Sequence, residues 1–484
     1  MNKYFTTIGL EIHAELKTAS KMFCSCKNDP DETKPNVNIC PVCMAHPGAL
    51  PVANKRAVEQ VIRVGLAVNA NIADFSEFDR KSYFYPDIPK GYQISQYKYP
   101  IVSGGHLADF DITRIHLEED TANSKHLDGT AANGGASFSL VDFNRAGVPL
   151  MELVTEAHTF DTAELAATAA GKFAREYQTL LWYLGASEAN MEKGEMRVEA
   201  NISVSDTREK WGTKVEVKNL NSVRSAERAI RYEVARMIEL LEAGKGAEIT
   251  QETRGWDEAK QSTFSQRSKE DAQDYRYFPD PDLPKMKLHE AFDINKLRAE
   301  LPELPAAKRA RYASEYGIKD EDIEMYIGDL ALGGFFERVI ADFSGDKDLI
   351  KLASNYVTSD LAGILKNNAE AKLPDDKSFA KLIRMIKGGE LTSRAGKDLL
   401  AILVAEGGDP ETIAKDRGLI AIQDEGALKL ILEKIVAENP DVIAQIKAGK
   451  DAALMSLVGK AMKETKGAGN PALIQKILRE MITI

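Results

Sequence analysis

All four cysteines of this 484-residue chain fall within twenty positions, as Cys24-Ser-Cys26 and Cys40-Pro-Val-Cys43, with 13 residues between the pairs. Two short-spaced knuckles of this kind bring four thiolates onto one tetrahedral zinc ion, and a reducing compartment keeps such thiols from bridging. Free or redox-active thiols are the other reading of the same residues. A four-cysteine site has no open coordination position, so its work is to staple a loop and not to do chemistry.

A second group is acidic. Glu11-Ile-His13, Glu118-Glu119-Asp120, Glu152 and Glu199 lie in or beside runs that alternate apolar and polar residues. Several carboxylates and one imidazole on one face repel one another unless a cation sits among them, and oxygen-rich ligation with a single histidine suits Mg2+ or Mn2+. Each acid taken alone reads as readily as a solvated residue on an exposed strand; four in one region are harder to explain that way. Arg80 and Lys81, in Phe78-Asp-Arg-Lys-Ser-Tyr-Phe-Tyr-Pro86, are natural counter-charges for phosphate. Acids and cations together can hold metal-ATP and support phosphoryl transfer. No GxxxxGK[ST] word occurs, which excludes a P-loop site. Gly467-Ala-Gly469 follows a helical pattern and runs into Pro471, a poor match to a dinucleotide fingerprint.

The elements that must carry these groups can be read from periodicity. In Thr7 to Leu16 the apolar set Ile8, Leu10, Ile12, Ala14 and Leu16 leaves Glu11, His13 and Glu15 on the opposite face of a strand. Met196, Val198, Ala200, Ile202 and Val204 likewise oppose Arg197, Glu199, Asn201 and Ser203. The same split appears at Val141 and Phe143 against Asp142 and Asn144, and at Val215 and Val217 against Lys214, Glu216 and Lys218. Several such strands predict an antiparallel sheet with one face open to a cleft. Helical period at Phe173, Tyr177, Leu180, Leu181 and Leu184, and at Ala226, Ile230, Val234, Met237 and Leu241, predicts long helices behind it. The prolines of Tyr275 to Pro284 read as a domain boundary. Beyond them the periodicity is helical throughout, ending in two short amphipathic helices with stripes Leu454, Leu457, Val458, Ala461 and Ile474, Ile477, Leu478, Met481. The fold class is therefore an α+β first part followed by all-α parts, in a multidomain chain. The divisions are 1–290, with the knuckle at 24–43, then a helical domain over 291–407 and a helical tail over 408–484.

Composition agrees with a globular protein: 44% of residues are hydrophobic and 28% charged. Met1 to Leu16 alternates in place of showing a basic stretch and an apolar run, so it is no signal peptide. No stretch reaches the roughly 18 apolar residues of a membrane span. A cytoplasmic protein with no membrane partner is expected. The net charge of -11 is unevenly spread. The last 43 residues hold Lys447, Lys450, Lys460, Lys463, Lys466, Lys476 and Arg479 against Asp451, Glu464 and Glu480, a local net of +4. Such a patch fits docking of a polyanion, and a solvated helix face equally well.

More specific words are spread between Ile8 and Pro279: Ile8-Gly-Leu-Glu-Ile-His13, Phe78 to Asp87, Tyr92-Gln-Ile-Ser-Gln96, His116-Leu-Glu-Glu-Asp120, Asp142-Phe-Asn-Arg-Ala-Gly147, Val217-Lys-Asn-Leu-Asn-Ser222, Gln251-Glu-Thr-Arg254 and Asp274-Tyr-Arg-Tyr-Phe-Pro279. Together they closely resemble the B subunits of the glutamyl-tRNA(Gln)/aspartyl-tRNA(Asn) amidotransferases. The resemblance implies a cradle-shaped α+β domain related to glutamine synthetase that uses ATP and Mg2+ to phosphorylate the side-chain carboxylate of a mischarged aminoacyl-tRNA, after which ammonia displaces phosphate. It further implies that an amidase-type A subunit makes the ammonia from glutamine, that a small C subunit completes a heterotrimer, and that the tail holds tRNA. With all four cysteines in the knuckle, no thiol nucleophile remains here to release ammonia. Carried over, Glu11, His13, Glu119, Glu152 and Glu199 match catalytic cleft positions, with His13, Glu119 and Glu152 as Mg2+ ligands; Arg80, Lys81 and Asn201 match nucleotide contacts, Lys81 being catalytic as well. Glu199 stands where family members often carry Asp. Alternation from Ile115 and Leu117 turns Glu118, not Glu119, to the polar face; a bulge would reset this, and Glu118 stays open. Two other readings compete: a non-catalytic, zinc-containing tRNA-binding scaffold, and a free-standing carboxylate–amine ligase.

Overall fold

The computed structural model describes residues 3–127, 137–268, 275–421, 425–447, 450, 452–465 and 469–483; Asp274, Asp451, Lys466 and 467–468 lie outside them. The chain divides into two units, Met1–Pro305 and Ala306–Ile484.

The main strands of the first unit are β1 (Phe5–Glu15), β2 (Asp79–Ser82), β3 (Tyr92–Ser95), β4 (Phe110–Glu119), β5 (Pro149–Thr155), β6 (Met196–Ser205), β7 (Val215–Leu220), β8 (Glu252–Asp257) and β9 (Ser262–Ser268). An 11-stranded sheet runs β9-β8-β7-β6-β1-β5-β4 and continues through two short strands, Val102–Ser103 and Asn71–Ile72, with His158–Phe160 pairing β1 and His106–Leu107 pairing β4 off this path. The alternation read in β1 and β6 sets the two faces. Ile8, Leu10, Ile12 and Ala14, with Met196, Val198, Ala200 and Ile202, are all buried, and Glu11, His13 and Glu199 take the other side.

Helices α1 (Lys55–Ala67), α2 (Ala163–Leu184) and α3 (Val223–Glu242) supply the rest of this core. The stripe Phe173, Tyr177, Leu180, Leu181, Leu184 of α2 is buried, as are Ala226, Ile230, Val234 and Met237 of α3. Both helices begin where a hydroxyl satisfies an orphan amide: Thr162 accepts from Leu165 N, and Ser222 from Ser225 N. The end of α2 is set by Gly185 at φ 61°, a left-handed cap that favours glycine.

Three features differ from the sequence reading. The β7–β8 pair is parallel, because the chain returns through α3 to the same edge of the sheet. Val141 does not lie in the main sheet: Phe138–Asp142 forms a ribbon with Asn123–Leu127, and Phe143 and Asn144 leave it as a turn. The proline-rich stretch stays within the first unit, since Phe278–Pro279 pairs with Asp79 and Arg80 of β2, and Leu283 is buried.

The second unit is helical. Between Asp320 and Asp416 the aromatic residues Tyr326 and Phe336 stack at 4.3 Å, and Phe335 meets Phe379 edge-on. Helices Glu425–Ala437, Pro440–Lys447, Ala452–Glu464 and Pro471–Thr483 form their own cluster around Leu428, Leu432, Leu457, Ile474 and Leu478. No helix among the described residues is long and apolar enough to cross a membrane.

Candidate active site

Antiparallel register lines the polar face of the sheet with acids from five adjacent strands. His13 of β1 sits opposite Glu152 of β5 on one side and Arg197 of β6 on the other, while Glu11 faces Glu199 across the β1–β6 ladder. Glu152 faces His116 of β4, and Asn201 of β6 faces Glu216 of β7. Residues two apart on a strand share a face, so Glu118 joins His116.

The result is a row of three overlapping donor sets: Glu11, Glu199, Glu216; Glu11, His13, Glu152; and His116, Glu118, Glu152. In each, one ligand atom per residue lies within 4.8 Å of the others. His13 Nε2 is 3.4 Å from Glu152 Oε2, 3.6 Å from Glu118 Oε1 and 3.9 Å from Glu11 Oε1. The same Glu152 oxygen lies 3.3 Å from His116 Nε2, and the buried His116 Nδ1 has no partner.

Crowding buried charge in this way perturbs Glu11, His13 and Glu152. Burial, with Glu152 and Glu199 beside it, pushes the Glu11 carboxyl up to about 7. Burial opposes the charge on His13, but Glu152, Glu118 and Glu199 outweigh it and raise the imidazole to about 9. Burial likewise disfavours the Glu152 carboxylate, yet His116 and His13 hold it well below its ordinary range. Protons on Glu11 and His13 thus balance carboxylates that a divalent cation would balance instead. Carboxylates with one or two imidazoles are a hard donor set, and they fit Mg2+ or Mn2+.

Cations border the row. Burial penalises the Lys81 ammonium, but Glu118, Tyr277 and Glu152 raise its pKa above the ordinary lysine value, and it lies 4.8 Å over the Tyr275 ring. Lys218 binds Glu199 at 2.7 Å and lies 3.4 Å from Glu216. The Asn201 side-chain oxygen is buried without a partner, an acceptor with nothing yet to accept.

Two pairs of sequence neighbours are split by strand alternation. Glu118, not Glu119, reaches His13; Glu119 instead pairs with Lys90 and accepts from Ile94 N of β3. No irregularity resets the facing at Glu118, because the register shift in this ladder falls between Val154 and Thr155. Glu118 therefore takes the place in the donor row that the resemblance gave to Glu119. Arg80 turns away from Lys81: it pairs with Asp280 at 2.8 Å and Asp282 at 2.7 Å and stacks on Tyr92, which clamps the proline-rich stretch onto β2. His116, Glu216 and Lys218 are legible in the sequence as polar-face residues but carry no role there, since their relevance depends on cross-strand register.

The four cysteines converge as their spacing predicts. Sγ–Sγ distances are 3.5 Å for Cys24–Cys43, 3.7 Å for Cys40–Cys43 and 3.8 Å for Cys26–Cys43. A tetrahedron of 2.3 Å zinc–sulfur bonds has edges of about 3.8 Å, so the four thiols fit that ion.

Comparison with known proteins gives the same reading along the whole chain. Residues 6–293 match the family described as the GatB/GatE catalytic domain, and residues 334–482 match the GatB domain. The B subunit of an aspartyl/glutamyl-tRNA(Asn/Gln) amidotransferase from Picosynechococcus sp. is 41% identical over 99% of this chain and 98% of its own length. The protein of that name from Carboxydothermus hydrogenoformans is 39% identical over 100% of this chain and 99% of its own. The B subunit of a chloroplastic/mitochondrial glutamyl-tRNA(Gln) amidotransferase from Ricinus communis is 40% identical over 99% of this chain and 87% of its own.

Proposed function

The chain belongs to the family of B subunits of the tRNA-dependent amidotransferases, and from that premise we propose that it carries out the ATP-dependent amidation of mischarged Glu-tRNA(Gln), Asp-tRNA(Asn) or both, in the cytoplasm. The single observation that supports placing the chemistry in the first unit is the row of carboxylates from Glu216 to Glu118, with Lys81 beside it.

In this reading the side-chain carboxylate of the aminoacyl group attacks the γ-phosphorus of ATP, and ADP departs. Glu11, His13, Glu118 and Glu152 would hold Mg2+, which when bound neutralises charge on the phosphates. Lys81 supports the phosphoryl oxygens as negative charge moves onto the leaving group. Glu199, steadied by Lys218, and Asn201, with its unused acceptor, face the nucleotide side of the row. Ammonia then attacks the acyl phosphate, a carbon–nitrogen bond forms, and inorganic phosphate leaves. The intermediate must be sheltered, because water would hydrolyse it.

The ammonia comes from glutamine hydrolysed by an amidase-type A subunit, with a small C subunit completing the assembly. Cys24, Cys26, Cys40 and Cys43 would hold a structural Zn2+. The helical stretch 291–407 and the tail 408–484 grip the tRNA, the basic residues of the tail meeting its phosphates.

The test is amide formation on Glu-tRNA(Gln) by the reconstituted complex with ATP, Mg2+ and glutamine. His13→Ala should abolish ATP-dependent amidation while the partner's glutaminase activity persists. Amidation at a near-normal rate would mean that the chemistry lies elsewhere.

A further inference from the structure

Lys21 is among the largest fully buried side chains in the protein, with no exposure to solvent. A buried ammonium costs several kcal/mol unless an opposite charge accompanies it. Among the described residues Lys21 makes no ion pair with any carboxylate. Its Nζ donates to two backbone carbonyls, Asn38 O at 2.8 Å and Phe143 O at 2.9 Å, and its third contact is Cys43 Sγ at 3.7 Å. Of the three groups that Lys21 Nζ meets, the one that can carry negative charge is therefore the Cys43 thiol.

The Cys43 sulfur lies close to all three others, at 3.5, 3.7 and 3.8 Å. A zinc ion with four thiolates formally carries two net negative charges, which is costly in a half-buried site. A cation touching the Cys43 sulfur meets that cost, and the thiolates meet the cost of burying the cation. We propose that Lys21 is the built-in counter-charge of the four-cysteine metal centre, donating to Cys43 and locking the metal-bearing loop to the turn at Phe143. This rests on the zinc reading given above.

The surroundings are built to hold the ammonium there. Met22 N donates to Gly147 O at 2.7 Å, and Gly147, at φ 82°, lies against the Lys21 stem. Asn144 Oδ1 accepts from Val37 N and Asn38 N, and Asp142 Oδ1 from Asn36 N, all at 2.9 Å. The far end of the same turn carries Arg145, which donates to Thr121 O and lies 3.8 Å from Asp120, directly after the Glu118-Glu119 pair. Lys21 thus joins the metal loop to the segment that borders the acidic row.

The experiment uses the full-length chain. Zinc content is measured on the purified protein, and the rate of zinc loss to excess chelator is compared for wild type, Lys21→Met, Lys21→Gln and Lys21→Arg. The Co2+ forms are compared by the sulfur-to-cobalt charge-transfer band. Loss of an outer-sphere partner of a metal ligand typically costs 10–100-fold, so Lys21→Met and Lys21→Gln should release zinc about 10- to 100-fold faster with a shifted cobalt band, and Lys21→Arg should restore much of the retention. Lys21→Gln keeps donors for both carbonyls without the charge, which separates the counter-charge from hydrogen bonding and serves if Lys21→Met does not fold. Retention in Lys21→Gln within twofold of wild type, with an unshifted cobalt band, would overturn the proposal. A wild type that holds neither Zn2+ nor Co2+ would overturn the metal reading and this proposal with it.

Discussion

Across β7, β6, β1, β5 and β4 the acidic row buries or half-buries Glu216, Glu199, Glu11, His13, Glu152 and Glu118 within reach of one another. In the tail bundle the pairs Lys434–Glu464 and Lys476–Glu425 join side chains that are each more than half exposed. Exposed pairs contribute about 0–1 kcal/mol and leave water's solvation largely intact. Buried charges lose that solvation at several kcal/mol per ion, and the loss is recovered only through protons, cations or hydrogen bonds. The sheet therefore carries an electrostatic load that its apolar face, packed on α2 and α3, must support. The two tail pairs add little of this load, and the cluster around Leu428, Leu457, Ile474 and Leu478 is held by apolar packing. Stored electrostatic cost of this kind is found where chemistry is done, since a site poised for a cationic ligand cannot be optimal without it.

The comparison can be broken at either end. In the tail, Leu457 is fully buried within the cluster of Leu428, Ile474 and Leu478. Leu457→Ala should cost about 2–5 kcal/mol. Because the tail's pairs contribute little, the loss should show in calorimetry as an earlier transition of the helical part, with the amidation site's ATP affinity unchanged. A shift below about half a kcal/mol, the size of an ordinary surface substitution, would mean that packing is not what holds the bundle.

In the sheet the expected sign is opposite and the size smaller. Glu11 lies among Glu152, Glu199 and Glu216. Glu11→Gln removes one of these mutually repelling groups, and should stabilise the protein in the presence of chelator by about 1 kcal/mol, the scale of one pKa unit, while abolishing amidation. A destabilised Glu11→Gln protein would show that the row is a set of satisfied structural groups and not a site under load.

Much of this is legible in the sequence because the period of a strand is two. The burial of Ile8, Leu10, Ile12 and Ala14 fixes where Glu11 and His13 must point, and the same rule applied to Ile115 and Leu117 selects Glu118. The resemblance to a family word cannot separate Glu118 from Glu119, since adjacent residues in one motif share a reputation but not a face. Arg80 and Lys81 repeat the lesson: the cation nearer the carboxylates is the one whose strand phase matches theirs. The roles of His116, Glu216 and Lys218 are not legible, because they depend on which strands are neighbours and in what register. The turn at Phe143 reads as a strand continuation because its apolar residues alternate, but its backbone is held by the cysteine loop, Val141 O and Phe143 N meeting the Asn36 side chain and Phe143 O meeting Lys21.

The central claim, that the donor row containing Glu118 is where the carboxylate is activated, is tested most directly by measuring ATP-dependent amide formation on Glu-tRNA(Gln) with reconstituted complexes bearing Glu118→Ala or Glu119→Ala. Glu118→Ala should lose product formation by about 100-fold or more with glutaminase activity retained, and Glu119→Ala, which removes a partner of Lys90 and Ile94, should lose less. Equal activity of Glu118→Ala and wild type would contradict the account and leave this chain a tRNA-binding scaffold.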